Sequence, residues 1–311
     1  MAKHTLLKLA VSGWALAQAC ASAQAATCAT TSNITVAATP VATNTLSNIT
    51  SDFSLVYSAN YTPNSPADCY TVTLVSAPAA TIEGAVVAAG AAGGNASSSY
   101  DVFIAESPLV PAQLAGLHAS LVGGSPFWIA TDTLELYSAS IDVSAGLPWF
   151  PGAFSVPNPV TLDPYGLATV ETLKAAWPRL LAKSLPITTD DALSSWSAVE
   201  YGFGTPAYGF TGKSQICTNV TGAEVYESGS YHHEYVLGRD YITPIAWTGL
   251  KLNRLSNGAV VARTAQAENA VNAFISFLSQ AGVTVTDKTT SATLTLNGGK
   301  TDLAQSCLKT N

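Results

Sequence analysis

Charged residues are scarce in this chain of 311 residues. They make up 11% of the sequence, and 13 Lys and Arg are outnumbered by 20 Asp and Glu, which gives a formal net charge of −7. A chain with so little positive charge is not expected to bind nucleic acid or anionic membranes. Hydrophobic residues make up 48% of it, enough for one large domain or two ordinary ones, and we expect two.

The sequence also lacks the short motifs of common catalytic and metal sites. No Gly-x-Ser-x-Gly segment indicates a serine hydrolase. Ahead of Gly212-Lys213-Ser214, Ala207 stands where a phosphate-binding loop requires glycine. No Cys-x-x-Cys pair occurs, and the adjacent His232 and His233 would point to opposite faces of a strand. We therefore predict a protein that is not an enzyme, with no cofactor and no metal, and a surface position for Tyr231–Tyr235.

No stretch beyond the first residues has the roughly 20 uninterrupted apolar residues that span a bilayer. A secretory signal is predicted over residues 1–25. It has a positive start with Lys3 and Lys8, then an apolar stretch, and Ala23-Gln24-Ala25 as the cleavage site. A lipoprotein acylated at Cys20 is the alternative, but Gln18 stands where that signal requires a small residue. Cleavage would remove two lysines and change the formal charge from −7 to −9. We expect an exported protein.

Export bears on two further features of the sequence. If the source glycosylates secreted proteins, the Asn-x-Ser/Thr acceptors are Asn33, Asn48, Asn60, Asn95 and Asn219. An even set of cysteines, consistent with disulfides, also remains after cleavage. These are Cys28, Cys69, Cys217 and Cys307.

Four cysteines allow three pairings. Cys28 and Cys69 each precede one of the first two predicted strands, so adjacent parallel strands would bring them together and leave Cys217 with Cys307. The other two pairings stay open.

One unit occurs twice in the first ninety residues. A strand (Ile34–Ala38, then Tyr70–Val75) leads into a small-residue turn that contains proline (Thr39-Pro40, then Ser76-Ala77-Pro78), and a helix follows. Helix N-termini have backbone N–H groups without partners and can bind anions without a positive side chain. With the buried strand Asp101–Ala105, the alternation predicts a doubly wound α/β lobe.

The pattern in the second half of the sequence predicts another lobe. Helices are expected over Ala168–Ala176 and Ala192–Glu200, and a short strand over Ala207–Phe210. Pro244–Trp247 is predicted to lead back as a strand, and apolar residues from Ala267 to Ala281 lie on one face of a closing helix.

The order of these elements resembles the periplasmic molybdate-binding proteins of ABC transporters, in the two-lobed type II class of periplasmic substrate-binding proteins. The residues that carry the resemblance are Ile34–Phe53, Thr73–Val86, Tyr100–Glu106, Asp163-Pro164 with Glu171-Thr172-Leu173 and Trp177, Ala207–Thr211 and the closing helix. The resemblance implies two α/β lobes joined by a hinge, lobe I over residues 26–130 and 245–311 and lobe II over residues 131–244. It also implies a periplasmic location and a monomeric receptor that delivers its solute to a membrane permease.

In that family the lobes close on a tetrahedral oxyanion held by hydroxyls and backbone amides at helix N-termini. Carried over by position, the expected ligand-binding residues are Thr39, Thr43, Ser76, Tyr165, Gly166, Ala192, Thr211 and Lys213. Two positions depart from the family: Tyr165–Ala168 replaces a Pro-Ala-Gly turn, and Thr211 stands where a tyrosine is expected.

These departures leave alternatives to molybdate. One is a different anion or a small organic acid. Another is an exported adhesion or sensory module that keeps the fold without transport, for which the Thr/Ser-rich segment Thr284–Asn311, predicted to be an extended tail, offers a reason.

Overall fold

The computed structural model describes residues 28–62, 68–93, 95–148, 152–161, 163–176, 187–202 and 206–310. The predicted signal, residues 1–25, and Cys20 lie outside the described residues, as does Trp177.

In these ranges the chain alternates between strands and helices. The strands are β1 (Thr30–Ala38), β2 (Tyr61–Thr62), β3 (Asp68–Ser76), β4 (Ser97–Ser98), β5 (Val102–Ala105), β6 (Phe127–Thr131), β7 (Leu134–Ser138), β8 (Phe154–Pro157), β9 (Ile187–Thr189), β10 (Tyr208–Gly212), β11 (Cys217–Val220), β12 (Ala223–Tyr226), β13 (Tyr231–Glu234), β14 (Ala246–Lys251), β15 (Arg254–Ser256), β16 (Ala259–Val261), β17 (Gly282–Asp287) and β18 (Thr293–Asn297). The helices are α1 (Pro40–Val56), α2 (Ala79–Gly90), α3 (Leu109–Leu117), α4 (Pro164–Ala176), α5 (Ala192–Tyr201), α6 (Lys213–Ile216), α7 (Ala265–Phe277) and α8 (Gly299–Gln305).

The first large sheet has the strand order β3-β1-β5-β14-β6. Strands β3, β1 and β5 run parallel, and β14 is antiparallel to both of its neighbours. Every residue of β5 is buried, as expected for a strand covered on both faces. The predicted apolar face of α1 packs on this sheet through Leu46, Ile49 and Phe53, and α2 and α3 cover the other face.

The second large sheet has the order β13-β7-β10-β8-β9. Strands β10, β8 and β9 run parallel, while β7 is antiparallel to β10 and to β13. Its core contains Phe154 and Phe210 together with Tyr165 of α4 and Ala192 of α5. Val41, near the start of α1, also belongs to this second core, so helix α1 contacts both halves of the protein.

The chain passes between the two sheets twice, from β6 to β7 and from β13 back to β14. The two passages lie side by side, because the Asp132 N–H donates to the Ile245 carbonyl over 2.9 Å. The predicted lobe boundaries, at residues 130/131 and 244/245, fall at these passages. The division of the chain into lobes at these residues stays a prediction.

Both disulfides of the favoured pairing are present. Cys28–Cys69 joins the starts of β1 and β3, with 5.6 Å between Cα atoms, and these strands pair in parallel with Thr31 opposite Cys69. Cys217–Cys307 joins the start of β11 to the segment after α8, with 5.9 Å between Cα atoms.

The prediction of an extended C-terminal tail was wrong. Residues from Gly282 to Asn297 form the β17–β18 hairpin, which pairs with β2, and α8 follows. Leu303 and Leu308 are buried in the first core. Threonines that alternate with apolar residues suit a strand that is buried on one face, and this explains why a Thr-rich segment is folded here.

Helix α4 begins at Pro164, earlier than the predicted Ala168, because proline is well suited to the first helical position. Tyr165 and Gly166 therefore lie in the first helical turn instead of in a loop. Among the described residues, no helix is both long enough and apolar enough to cross a membrane.

Candidate ligand-binding cleft

A cleft cavity of about 320 Å³ lies between the two halves, where helices from both sides begin. The first half lines it with the turns that follow β1, β3 and β5, and the second half with the starts of α4 and α5. The lining residues are Thr39, Pro40, Val41, Pro78, Ala79, Ala105, Glu106, Ser107, Val110, Asp163, Pro164, Asp190 and Asp191. This volume is at the lower end of the range for small-molecule sites.

The parallel pairing of β3, β1 and β5 brings the three first-half turns together. Ala38 at the end of β1 is opposite Ser76 of β3 and Ile104 of β5, and the Thr39 N–H donates to the Ile104 carbonyl. The carboxyl ends of parallel strands are where ligands bind in open α/β sheets.

Glu106 follows β5 directly and lies over the first turn of α1. Its side chain is buried, and Oε2 accepts a hydrogen bond of 2.5 Å from the Thr39 hydroxyl. Burial raises the pKa of the Glu106 carboxyl to about 7, although the hydrogen bonds from Thr39 and from the Ala42 N–H oppose this increase. The second carboxylate oxygen, Oε1, is buried without a hydrogen-bond partner.

Two further carboxylates cap the second-half helices. Asp163 Oδ1 accepts the backbone N–H groups of Tyr165 at 2.8 Å and Gly166 at 3.4 Å, at the start of α4. Asp191 Oδ1 accepts the N–H of Ser194 at 2.7 Å, at the start of α5. Burial raises the pKa of Asp163 to about 8, and the nearby charge of Glu106 adds to the increase. Asp163 Oδ2 is buried without a partner.

The lining of the cleft cavity is therefore acidic. It contains the carboxyl groups of Glu106, Asp163, Asp190 and Asp191, and none of its residues is Lys, Arg or His. The starts of α4 and α5 are capped by carboxylates of the chain itself, whereas the starts of α1 and α2 have no side-chain cap.

Of the eight residues predicted to bind the ligand, Thr39 lines the cleft cavity and the other seven do not. Thr43 and Ser76 are brought together, since the Thr43 hydroxyl donates to Ser76 Oγ over 2.9 Å and also lies 3.1 Å from the Thr39 carbonyl. The pairing of β1 with β3 thus places the two predicted turns next to each other, as expected.

The predicted residues in the second half have partners within the protein. The Tyr165 hydroxyl is buried and donates to Asp132 Oδ2 over 2.6 Å. Gly166 passes so close to the backbone that a Cβ atom would lie 2.8 Å from the carbonyl carbon of Asn158. The Thr211 hydroxyl donates to the Ala192 carbonyl over 3.0 Å.

Lys213 is buried, and its ammonium group contacts carboxylates of Glu224 and Glu234 at 2.8 Å each. A ligand-binding role for Lys213 and for the other predicted residues outside the cavity stays a prediction. Tyr231–Glu234 is strand β13 at the edge of the second sheet. There the ring of His232 stacks on Tyr226, while His233 Nδ1 lies 2.8 Å from the Ser144 carbonyl.

The carboxyl groups of Glu106 and Asp163 were not among the predicted site residues. The sequence contains a pattern that could have identified the acidic residues of the cleft. Glu106 directly follows a predicted strand, and Asp163 and Asp191 each precede a predicted helix. Acidic residues at such positions lie at the carboxyl edge of a parallel sheet, where a cleft forms.

Two solved structures share the fold. The periplasmic molybdate-binding protein of Azotobacter vinelandii is 19% identical with a TM-score of 0.56, over 79% of this chain and 93% of that one. The substrate-binding domain of a putative molybdenum ABC transporter from Clostridium difficile is 13% identical with a TM-score of 0.56, over 90% and 99% of the two chains. No protein-family model and no curated sequence matches the chain. The likeness confirms the fold class, the two-lobed α/β architecture of periplasmic substrate-binding proteins.

Proposed function

We propose that this chain is an extracytoplasmic solute-binding protein that holds a small solute in the cleft cavity and presents it to the permease of an ABC transporter. The observation that carries the proposal is the position of the cavity. It lies between two α/β halves at the carboxyl ends of parallel strands, and it is lined by helix starts from both halves. The fold shared with a periplasmic molybdate-binding protein and with a substrate-binding domain of a putative molybdenum ABC transporter supports it. Two disulfides, which fit an exported protein, support it as well.

The oxyanion and its molybdate-like identity stay predictions from the resemblance. Within the cavity, the Thr39 hydroxyl already donates to Glu106, so it is not free for an anion unless that bond breaks. The uncapped start of α2 offers backbone N–H groups to a ligand. An adhesion or sensory module loses one of the two observations that suggested it, because the C-terminal segment is folded.

A cavity-filling variant tests the proposal. Ala79 lines the cavity at the start of α2, and its neighbour Ala80 is exposed and does not line it. We expect a thermal-shift screen of small anions, neutral solutes and cations to yield a ligand that raises the melting temperature by a few degrees at about 100 times its dissociation constant. Ala79→Phe should abolish the shift, and Ala80→Phe should retain it.

Two results would contradict the proposal. One is that no solute of any charge class shifts the transition, and the other is that Ala79→Phe binds the ligand as tightly as the wild type. For the transporter role, the ligand-loaded monomer should stimulate ATP hydrolysis by the reconstituted ABC transporter, and the ligand-free protein should not.

A further inference from the structure

Two carboxyl groups that line the cleft cavity each have one oxygen without a hydrogen-bond partner within the protein. Glu106 is 4% exposed, and its Oε1 atom is buried without a hydrogen bond. Asp163 Oδ2 is likewise buried and unpartnered, although Oδ1 of the same group caps α4. A buried carboxylate oxygen without a donor is costly, so such atoms in a cavity indicate a ligand that supplies donors.

The charges in the cavity are not balanced by the protein. Glu106, Asp163 and Asp191 lie close enough that Asp191 raises the pKa of both other carboxyls. Because burial raises the pKa of Glu106 to about 7 and that of Asp163 to about 8, both groups are partly protonated near neutral pH in the empty cavity. A bound cation would stabilise their ionised forms, whereas an oxyanion would oppose ionisation. At the starts of α4 and α5, N–H groups that could otherwise bind an anion are engaged by Asp163 and Asp191.

The remaining wall of the cavity is largely apolar. It is formed by small or compact side chains, which are Val41, Pro78, Ala79, Ala105 and Val110. Such a wall binds the hydrocarbon part of a ligand through burial of apolar area. A bare metal ion would make no use of it.

We propose that the cleft cavity binds a small organic cation, a protonated amine on a compact apolar body, with its N–H groups donating to the carboxylates of Glu106 and Asp163. This inference rests on the proposed function and names the class of solute. An alkylammonium group carries up to three donors and keeps its proton at neutral pH. Charge-assisted hydrogen bonds to two carboxylates would fix its position, and the apolar wall would select the size of its hydrocarbon part.

The experiment compares primary amines of graded size with the alcohol and the carboxylate of the same carbon skeleton, together with molybdate, sulfate and Ca²⁺. Binding is measured by calorimetry to the full exported chain. We expect at least one amine to bind roughly tenfold or more tightly than its alcohol and carboxylate counterparts. In Glu106→Gln and Asp163→Asn, alone and combined, amine affinity should fall roughly tenfold or more.

The variants keep the local structure, because glutamine can still accept from Thr39 and asparagine can still cap α4. Glu227→Gln, an exposed carboxylate outside the cavity, is the matched control and should bind the amine like the wild type. The single variants serve if the double variant does not fold.

The inference is overturned if a carboxylate, an oxyanion or Ca²⁺ binds as tightly as the best amine, if no amine binds, or if the variants leave amine affinity unchanged. Binding of an anion that Ala79→Phe abolishes would refute the inference and leave the proposed function standing. If no probe of any class binds, both fail.

Discussion

Replacing Glu106 by glutamine tests the charge environment of the cleft cavity without any ligand. The carboxyl is buried, accepts the Thr39 hydroxyl through Oε2 and leaves Oε1 without a partner. Glutamine has nearly the same shape and can still accept from Thr39, so the substitution removes the titrating group and little else.

The magnitude follows from the pKa of Glu106, which burial raises from 4.5 to about 7. Since the pKa is higher in the folded state than in the unfolded one, the contribution of this group to stability is fully present below about pH 4.5 and is lost as the pH rises through about 7. One pKa unit corresponds to about 1.4 kcal/mol. The wild type should therefore lose on the order of 3 kcal/mol of unfolding free energy between about pH 4.5 and 8 that Glu106→Gln does not lose.

Urea unfolding at a series of pH values, without reductant so that both disulfides stay intact, measures this difference. The unfolding free energy of the wild type minus that of Glu106→Gln should fall steadily as the pH rises. The same difference for the exposed Glu227→Gln should stay flat. Parallel curves for the wild type and Glu106→Gln would refute the reasoning, because they would mean that this carboxyl pays no desolvation penalty in the folded protein.

Three further predictions concern stability and are measured by urea unfolding at neutral pH. Asp101→Asn should cost about 3–5 kcal/mol, because this buried carboxylate accepts from two arginines; a loss below about 1 kcal/mol would contradict its role. Gly166→Ala should lower the free energy of unfolding by about 1–3 kcal/mol, because a Cβ atom there would meet the backbone. Gly84→Ala, in open space on α2, should instead raise it by about 0.5–1 kcal/mol. Equal effects of the two substitutions would refute the contact argument. Replacing both Cys217 and Cys307 by alanine should cost about 2–4 kcal/mol, and an unchanged midpoint would show that the cross-link does not constrain the unfolded chain.

Much of the fold could be predicted from local patterns. The strand, turn and helix units around Thr39 and Ser76 are present, because alternating or continuous apolar residues, a proline at a helix start and a face with helical period depend on neighbours within a few residues. The disulfide Cys28–Cys69 was predicted for a related reason. Two strands that follow one another in a parallel sheet often pair, and both cysteines lie at the same end of those strands.

Side-chain partners in the second half could not be predicted in this way. The Tyr165 hydroxyl donates to Asp132, which is 33 residues away. The Lys213 ammonium contacts carboxylates of Glu224 and Glu234. Each of these contacts depends on how α4 and β13 pack on β7 and β10, and hydrophobic periodicity does not encode it.

The sequence by itself determined that the chain alternates strands with helices, that helix starts follow the carboxyl ends of its strands, and that four cysteines form two pairs. Only the tertiary structure decided the charge of the cleft cavity. The pairing of β1 with β5 places Glu106 over the start of α1, 67 residues from the Thr39 hydroxyl that it accepts. Burial there, together with Asp163 from the other half, raises the pKa of both carboxyl groups, because a desolvation penalty depends on everything that surrounds a group and not on its neighbours in the chain.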